Sequence, residues 1–563
     1  MSPYSGRVLA SLPIDFVVSF PTWVTSRAPI LARHSLAAPK SAVADKGGPL
    51  ATSARPASSD AIMPIPMAKP ATEASRIAPE VLAGYEPVIG LEVHVQLKTE
   101  TKIFCGCSTR FGDAPNSNTC PVCLGLPGSL PVTNKKALEF AARAALALHL
   151  HVEESSRFAR KNYFYPDLPK GYQISMYELP LAVRGWLEIE DEGKTKRIGI
   201  TRLHLEEDAA KNMHEGFPDS AEKSYVDYNR CGIPLIEIVS EPDLRSPVEA
   251  HAYLTTLKQL LQYAGVSDCD MEKGTLRCDA NVSVRRRGAE KLGTKAEMKN
   301  LNSFRYLQRA LEYEIERQIT ILESGGRVDQ ETRLWNVATG RTEPMRSKEF
   351  AHDYRYFPDP DLLPVRVSAA WLAEIAAHMP ELPEARRARY LGDFGLSPYD
   401  AGVLTATREL GDYFEETVRA GAPAKLAASW IQTELLRQMN QANPEEDSGG
   451  DFRITPENLA ALLVMIEKNE ITGAMAKKIF PGMFATGKSA AKIVASEGMQ
   501  KIDDTFTIEK LCSDAIAASP ENAAKYRAGN QNVFNHFVGL VMKASRGQAN
   551  PQAVQETLRR LLG

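Results

Sequence analysis

The sequence predicts an α+β fold with a largely antiparallel sheet, followed by all-helical C-terminal domains. Three observations predict this fold class. Short stretches of alternating apolar and polar residues recur along the chain up to about residue 369. The helical patterns between them do not alternate with the strands one for one, which argues against a doubly wound fold. Beyond that point the strand patterns stop, and Pro and Gly punctuate a run of helical patterns.

The predicted strands have the period of a half-buried sheet. In the first, Ile89, Leu91, Val93 and Val95 alternate with other residues, so they share one face. The predicted strands cover residues 86–95, 186–190, 196–204, 234–239 and 277–285. The clearest predicted helices cover residues 135–150, 247–263, 304–324, 459–468 and 533–543.

The 563 residues are too many for one hydrophobic core, because single cores stop growing near roughly 250–300 residues. We expect two or three domains: residues 1–84 form a tail, residues 85–369 form a sheet domain, and the chain beyond residue 369 is helical. Residues 1–84 are rich in Ala, Pro and Ser and poor in acids, which predicts disorder or a targeting segment. A bacterial cytoplasmic protein is the preferred interpretation, with a mitochondrial or chloroplast transit peptide as the alternative.

Charge and hydropathy exclude two classes of protein. Lys and Arg number 67 against 70 Asp and Glu, so the chain is not polybasic, although a local patch would suffice for RNA binding. No stretch has the roughly 18 apolar residues that a membrane span needs, so no membrane association is expected. The eight cysteines are too few for a disulfide scaffold in a chain of this length.

Half of the cysteines form a compact group, which consists of Cys105, Cys107, Cys120 and Cys123. Two close pairs joined by a short polar loop can place four thiolates tetrahedrally around Zn²⁺. Such a site is structural, because four protein ligands leave no position open for a substrate. The alternative is a set of four reduced thiols without a metal.

Acidic residues and one histidine lie on or beside predicted strands. Glu92 and His94 are two positions apart and share a strand face, while Glu237 and Asp279 lie within strand patterns and Glu207 lies in an acidic run at a strand end. An ionised acid buried in a sheet is costly unless it is compensated, and a hard divalent ion compensates it well. Salt-bridged or solvated acids are the alternative. The sequence contains no Gly-rich phosphate loop of the P-loop or Rossmann type.

Two segments, residues 160–173 and 353–360, mix basic and aromatic residues and are predicted to be loops. Such loops suit a nucleotide or the acceptor end of a tRNA, through base stacking and phosphate contacts. The alternative is aromatic packing with cations at the surface. Residues 299–303 are predicted to begin a helix that Asn302 or Ser303 caps.

These segments together resemble the B subunit of aspartyl/glutamyl-tRNA amidotransferases. The resemblance extends from about Tyr85 to the C-terminus and rests on residues 89–94, 160–173, 200–208, 229–247, 274–283, 299–304 and 353–364. It implies a cradle-shaped catalytic domain over residues 85–369, a helical domain over 370–485 and a YqeY-like tail domain over 486–563 that binds tRNA. It also implies a heterotrimer, in which an A subunit releases ammonia from glutamine and a C subunit clamps A to B.

The resemblance further implies a reaction and its cofactors. ATP would phosphorylate the side-chain carboxyl of Glu-tRNA(Gln) or Asp-tRNA(Asn), and ammonia would displace the phosphate. The implied Mg²⁺ ligands are His94, Glu207 and Glu237, with Glu92 and Asp279 in the same catalytic pocket. The implied substrate or ATP contacts are Lys161, Tyr163 and Arg355, and the four cysteines match the zinc positions of some relatives.

Two other functions remain open at this stage. One is a non-catalytic tRNA-binding and assembly protein built on the same fold, although such a protein has no need of buried carboxylates. The other is a stand-alone ATP-dependent carboxylate–amine ligase that uses free ammonia.

Overall fold

The computed structural model describes residues 77–191, 193–213, 219, 222–345, 354–442, 452–498 and 501–563. Most of the predicted N-terminal tail therefore lies outside the described residues. Just before the first strand, the short helix α1 (Pro79–Ala83) precedes Tyr85, and Val81 and Leu82 pack against the core of the sheet domain. Among the described residues, no helix is both long and apolar enough to cross a membrane.

The strands confirm the predicted fold class, because most of them join in one large sheet. Strands β1 to β15 are Tyr85–Gln96, His151–Val152, Ser155–Asn162, Tyr172–Leu179, Ala182–Asp191, Lys194–Glu207, Lys211–Met213, Tyr225–Asp227, Pro234–Ser240, Leu276–Arg286, Ala296–Lys299, Thr332–Asn336, Arg341–Pro344, Arg355–Pro358 and Val365–Arg366. The 13-stranded sheet has the order β13-β12-β11-β10-β1-β9-β6-β4-β3-β14, with β5 beside β6, β2 beside β5 and β15 beside β3. Of the pairs of strands β1 to β15 in the described part, β11 with β12 is the parallel one.

All five predicted strands are confirmed, as β1, β5, β6, β9 and β10. The prediction of loops for the two basic and aromatic segments is wrong in part. Residues 160–162 end β3, residues 172–173 begin β4, and residues 355–358 form β14. β14 pairs with the end of β3, so the two segments are neighbours in the sheet.

The helices follow the predicted division into a mixed and a helical region. Helices α2 to α17 are Lys135–Ala147, Pro247–Tyr263, Phe304–Glu323, Ala369–Ala377, Pro383–Asp393, Pro398–Leu404, Arg408–Arg419, Ala424–Trp430, Leu436–Ala442, Pro456–Glu467, Gly473–Thr486, Ala490–Ser496, Thr505–Ala517, Pro520–Arg527, Phe534–Ala544 and Pro551–Leu562. A π-helical turn at Ile431–Leu435 joins α9 to α10, and a 3-10 turn at Gln531–Val533 precedes α16. The predicted cap of α4 is Ser303, whose Oγ accepts a hydrogen bond from the Tyr306 backbone N–H at 3.1 Å.

The buried apolar residues form three clusters. The first joins the large sheet with α2, α3 and α4, the second joins α6 to α13, and the third joins α14 to α17. Helix α13 falls within the predicted tail domain, but it contributes Ala490 and Ile493 to the second cluster.

The two faces of the large sheet differ in polarity. On β1, Leu91, Val93 and Val95 are fully buried in the first cluster. Glu92 and His94 point to the opposite face, because successive side chains of a strand alternate. The helices thus cover the apolar face, and the polar face carries charged residues that the sequence singled out.

Candidate active site

A row of four polar residues crosses the centre of the polar face. His204 on β6 lies opposite Glu237 on β9, Glu237 lies opposite His94 on β1, and His94 lies opposite Arg277 on β10. Strand pairing therefore brings together residues that are far apart in the sequence. In a neighbouring row of the same face, Glu92 lies opposite Asp279, which the register of β1 and β10 fixes.

A carboxylate–histidine cluster forms at the middle of this row. His94 Nε2 lies 3.3 Å from Glu237 Oε2 and 3.7 Å from Glu206 Oε1. One potential ligand atom from each of these three residues lies within 4.8 Å of the other two. Two carboxylate oxygens and an imidazole nitrogen at this spacing can converge on a single divalent cation.

Charge coupling holds His94 and Glu237 in their ionised forms. Burial disfavours the charged forms of both His94 and Glu237, but their mutual hydrogen bond and the surrounding charges outweigh it. The pKa of His94 is raised to about 9, with help from the negative charge of Glu206. The pKa of Glu237 is lowered to about 2, with help from His204 and Arg202. Without a metal ion, the His94 imidazole therefore carries a proton at neutral pH.

The structure does not bring Glu207 to this cluster, although the resemblance implied it as a ligand. Glu206 takes that position, because neighbouring residues of β6 point to opposite faces. Glu207 instead forms a buried ion pair with Lys170, and its Oε1 accepts a hydrogen bond from the Ile174 backbone N–H at 2.9 Å. The side chains of Lys170 and Glu207 are only 7% and 2% exposed.

Glu92 and Asp279 lie beside the cluster, on the face that their strand positions predict. Glu92 Oε1 accepts a hydrogen bond from Asn281 Nδ2 at 3.1 Å, and Asp279 Oδ2 lies 3.8 Å from Lys299 Nζ. Burial raises the pKa of Glu92, as do the nearby charges of Glu237 and other acids. Burial also raises the pKa of Asp279, against the opposing effect of Lys299. Both carboxyls are therefore better proton acceptors than solvated acids.

A cavity of about 950 Å³ opens next to Asp279. Its lining includes Arg277 and Lys299, two cations on the same part of the sheet. Arg277 is fixed in place by Asp208, whose Oδ1 accepts from the guanidinium Nη2 at 2.9 Å. Asp208 is ionised in this pairing, since Arg277 and Arg230 overcome the effect of burial and lower its pKa. The cavity thus combines preorganised positive charge with the half-buried carboxyl of Asp279.

An aromatic and basic patch lies on the other side of the cluster. The Lys161 ammonium lies 4.5 Å from the Tyr354 ring centroid and 5.6 Å from that of Tyr163. Tyr163 and Lys161 are therefore neighbours in space. Arg355 is exposed, and strand alternation places it on the face of β14 opposite Tyr354 and Tyr356. The structure does not bring Arg355 into this patch.

Two aromatic rings connect this patch to the carboxylates. Tyr356 stacks on Tyr177 with a centroid distance of 5.1 Å. The Arg202 guanidinium lies 4.2 Å from the Tyr177 centroid, and its Nη2 lies 3.9 Å from Glu237 Oε1. A flat base or ester could therefore approach the carboxylates along an aromatic wall.

The four cysteines come together in the loop between β1 and α2. One Sγ atom from each lies within 4.8 Å of the other three, which suits four thiolates at about 2.3 Å from a single Zn²⁺. Their fit to zinc is supported by the chemistry of the set, since all four are free thiols. A hydrogen bond from Cys105 and the charge of Lys102 lower the pKa of Cys123 to about 4. The group is thus poised to supply at least one thiolate.

The cysteine loop packs directly on the buried Lys170–Glu207 pair. Gly125 has a φ of +66°, and a Cβ at this position would lie 2.3 Å from Lys170 Cγ. Glycine is therefore required both by the backbone conformation and by the contact. A small cavity of about 70 Å³ is lined by Cys105, Cys123 and the Lys170–Glu207 pair together.

Sequence reasoning missed several residues of the site. They are His204, Glu206, Arg202, Tyr177 and Tyr356. A usable signal existed for Glu206, because Leu203 and Leu205 alternate with His204 and Glu206 and so predict which acid shares the polar face. No local pattern marks Tyr177, since its strand is defined by pairing with distant residues.

Known proteins match the chain over most of its described length. The profile of the GatB/GatE catalytic domain matches residues 87–373, and the profile of the GatB domain matches residues 412–562. Three relatives are each named as the B subunit of an aspartyl/glutamyl-tRNA(Asn/Gln) amidotransferase. The one from Carboxydothermus hydrogenoformans is 55% identical over 475 residues, 84% of this chain and 98% of the relative.

The other two relatives are also matched over nearly their whole length. The protein from Geotalea daltonii is 54% identical over 474 residues, 84% of this chain and 98% of the relative. The protein from Solidesulfovibrio magneticus is 54% identical over 482 residues, 86% of this chain and 100% of the relative. The chain therefore belongs to the family of aspartyl/glutamyl-tRNA(Asn/Gln) amidotransferase B subunits.

Proposed function

We propose that this chain activates the amino acid of a misacylated tRNA for amidation. A side-chain carboxylate oxygen of Glu-tRNA(Gln), Asp-tRNA(Asn) or both attacks the γ-phosphorus of ATP, and ADP leaves. Ammonia then attacks the side-chain carbonyl carbon, the bond from that carbon to the phosphate oxygen breaks, inorganic phosphate leaves, and the nitrogen loses a proton. The observation that carries this proposal is the meeting of His94, Glu206 and Glu237 on a sheet face that also presents cations.

The reaction needs positive charge, because it brings a carboxylate and a triphosphate together. His94, Glu206 and Glu237 would hold Mg²⁺, which would offset the negative charge of the phosphates. Arg277 and Lys299 beside the cavity would bind and orient phosphate oxygens. The second step releases a proton from nitrogen, and the raised pKa of Glu92 and Asp279 suits these carboxyls to accept it.

The aromatic patch suits the acceptor end of the tRNA. Tyr177 and Tyr356 offer flat rings for base stacking, and Lys161 and Arg202 offer charge for the phosphate backbone. We infer that the terminal adenosine lies along these rings, so that its ester reaches the carboxylate–histidine cluster. The C-terminal helices of the third apolar cluster would hold the body of the tRNA.

A glutaminase A subunit would supply the ammonia, and a small C subunit would join the two chains in a heterotrimer. The match to a catalytic-domain family favours this function over a non-catalytic assembly protein. A stand-alone ligase is the remaining alternative, and co-purification separates the two. If the chain purified from its native host carries no partner subunits, that result contradicts the heterotrimer.

The test is reconstitution of the full chain with A and C subunits. Labelled Glu-tRNA(Gln) and Asp-tRNA(Asn) are followed with glutamine, with and without ATP. The expected result is ATP-dependent conversion of at least one of them to the amide, which requires this chain. Release of glutamate without any amide or ATP turnover in the complete complex would leave only the non-catalytic function.

Metal binding is expected to release a proton. A divalent cation needs the lone pair of His94 Nε2, which is protonated below its pKa of about 9. The apparent Mg²⁺ affinity should thus rise about tenfold per pH unit from pH 6.5 to 8.5 and level off above pH 9. Calorimetry at pH 7 in two buffers of different ionisation enthalpy should count about one proton released per ion.

The His94→Gln variant is the control for this prediction, since Gln cannot hold the competing proton. Its weaker affinity should be independent of pH over the same range. An equally flat profile for the unmodified chain would show that the imidazole does not ligate the ion.

The cysteine loop is expected to bind about one zinc ion per chain. Replacing Cys120 and Cys123 together by Ser should remove the zinc and lower the melting temperature by a few degrees, because a structural zinc contributes directly to folding. Metal analysis and thermal unfolding, with and without chelator, measure both effects.

The Cys512→Ala variant is a matched control, because Cys512 is a buried thiol in the third apolar cluster. It should keep a full complement of zinc. Protein prepared without chelator that contains no zinc would contradict the site.

The proposed location is the cytoplasm of a bacterium. The three relatives come from bacterial strains. N-terminal sequencing of the native protein tests this proposal, and a cleaved transit peptide would overturn it.

A further inference from the structure

His204 stands out among the buried residues of the polar face. Its side chain is 1% exposed. Within the described part of the chain, neither of its ring nitrogens has a hydrogen-bond partner. A buried polar group without a partner is costly, so an imidazole in this place requires an explanation.

The unpartnered imidazole points at the two carboxylates of the cluster. Its Nε2 lies 3.5 Å from Glu237 Oε2 and 3.7 Å from Glu206 Oε2. These distances exceed a hydrogen bond by less than about 1 Å. A small rotation of either carboxylate would close the gap.

The two histidines flank the carboxylates from opposite sides. Glu237 lies between them, opposite His204 on one neighbouring strand and opposite His94 on the other. The His94 side chain is 23% exposed, whereas that of His204 is buried. An ion that enters from solvent therefore meets His94 first, and His204 lies on the closed side.

The plane of the His204 ring is fixed by its neighbours. Tyr177 packs against it edge to face, with a centroid distance of 6.2 Å and an angle of 87°. Tyr177 is itself held between Tyr356 and Arg202. The imidazole cannot swing away from the carboxylates without breaking this stack.

We propose that His204 is a positioning residue of the metal centre. Its Nε2–H donates to Glu206 Oε2, while Glu206 Oε1 faces His94 and the ion, and His204 does not ligate the ion itself. This inference rests on the metal centre of the proposed function. A metal-bound carboxylate uses one oxygen for the ion, and a hydrogen bond to the other fixes its orientation.

The test measures metal binding directly on the full chain, without tRNA or partners. Mn²⁺ serves as the probe, and free Mn²⁺ is quantified by electron paramagnetic resonance. His204→Phe keeps the aromatic contact with Tyr177 but removes the donor, and it should weaken Mn²⁺ binding about 10–100-fold. His204→Gln keeps a donor near Nε2 and should recover most of the affinity.

Tyr253→Phe is the matched control. Tyr253 is fully buried and its hydroxyl also lacks a hydrogen-bond partner among the described residues, but it lies on α3 in the apolar cluster. This variant should bind Mn²⁺ like the unmodified chain. Circular dichroism and thermal unfolding of each variant separate a local effect from misfolding.

Three outcomes overturn the proposal. In the first, His204→Phe binds Mn²⁺ as tightly as the unmodified chain. In the second, pulsed spectroscopy of bound Mn²⁺ detects two coordinated imidazoles, which makes His204 a ligand. In the third, the unmodified chain binds no Mn²⁺ at all, and the metal centre itself fails. Amidation is measured separately, so the first two outcomes leave the proposed function standing.

Discussion

Replacing Glu237 with Gln is expected to slow ATP-dependent amidation by roughly 10³-fold, because a catalytic metal ion contributes several kcal/mol of charge stabilisation. Glu237 is the shared contact of the cluster, since His94, His204 and Arg202 all approach its carboxylate. Gln keeps the shape of the side chain but removes the charge that would bind the proposed cation. Glutamine hydrolysis should continue, because the proposed function assigns that reaction to a separate A subunit.

The measurement is the rate of amide formation in the reconstituted complex, with glutamate release followed in parallel. Glu206→Gln should behave like Glu237→Gln. Glu190→Gln is the control, because Glu190 lies on the same sheet with a side chain that is 74% exposed. Amidation by Glu237→Gln at the rate of this control would remove the carboxylate–histidine cluster from the mechanism.

Replacing Lys170 with Met should destabilise the sheet domain by about 3–5 kcal/mol, because it leaves the Glu207 carboxylate buried without its cation. For a domain of this size the melting temperature falls by roughly 5–8 °C. Thermal unfolding of the purified chain at neutral pH measures the effect. The double variant Lys170→Met, Glu207→Leu should recover much of the loss, since it removes both charges.

Lys136→Met is the matched control for the loss of a lysine in an ion pair. Lys136 pairs with Glu139, but its side chain is 50% exposed, and surface pairs contribute less than about 1 kcal/mol. Equal shifts for Lys136→Met and Lys170→Met would mean that the buried pair has no special role in stability.

The fold was predictable because its central strands carry strong local patterns. Strands β1, β6, β9 and β10 alternate or are rich in Val, Ile and Leu, and they form the centre of the sheet. Strands β3, β4 and β14 were missed, since Lys, Arg and Tyr cover their polar face and hide the apolar period. These strands exist because they pair with each other, and pairing is not a local property of the sequence.

The site was predictable in part. Glu92, His94, Glu237 and Asp279 lie on strands whose phase is clear, so their common face follows from the period of two. Glu207 was placed by resemblance in a run of three acids, where a shift of one residue exchanges the two faces of the sheet. Strand phase alone assigns Glu206 to the polar face. It assigns Glu207 to the opposite, buried face, where its charge requires a cation, and Lys170 supplies that cation.

The pairing of β3 with β14 has a consequence for how the protein is made. Asn162 and Arg355 are hydrogen-bonded neighbours, yet they are 193 positions apart in the chain. Contacts of such high sequence separation form slowly, because the entropy of closing a long loop is lost before the contacts can stabilise the fold. On the ribosome, the carboxylates of β6 and β9 emerge well before Tyr354 and Tyr356. A nascent chain therefore contains the carboxylates of the site before the Tyr354 and Tyr356 rings have been synthesised. The complete site can form only late in synthesis.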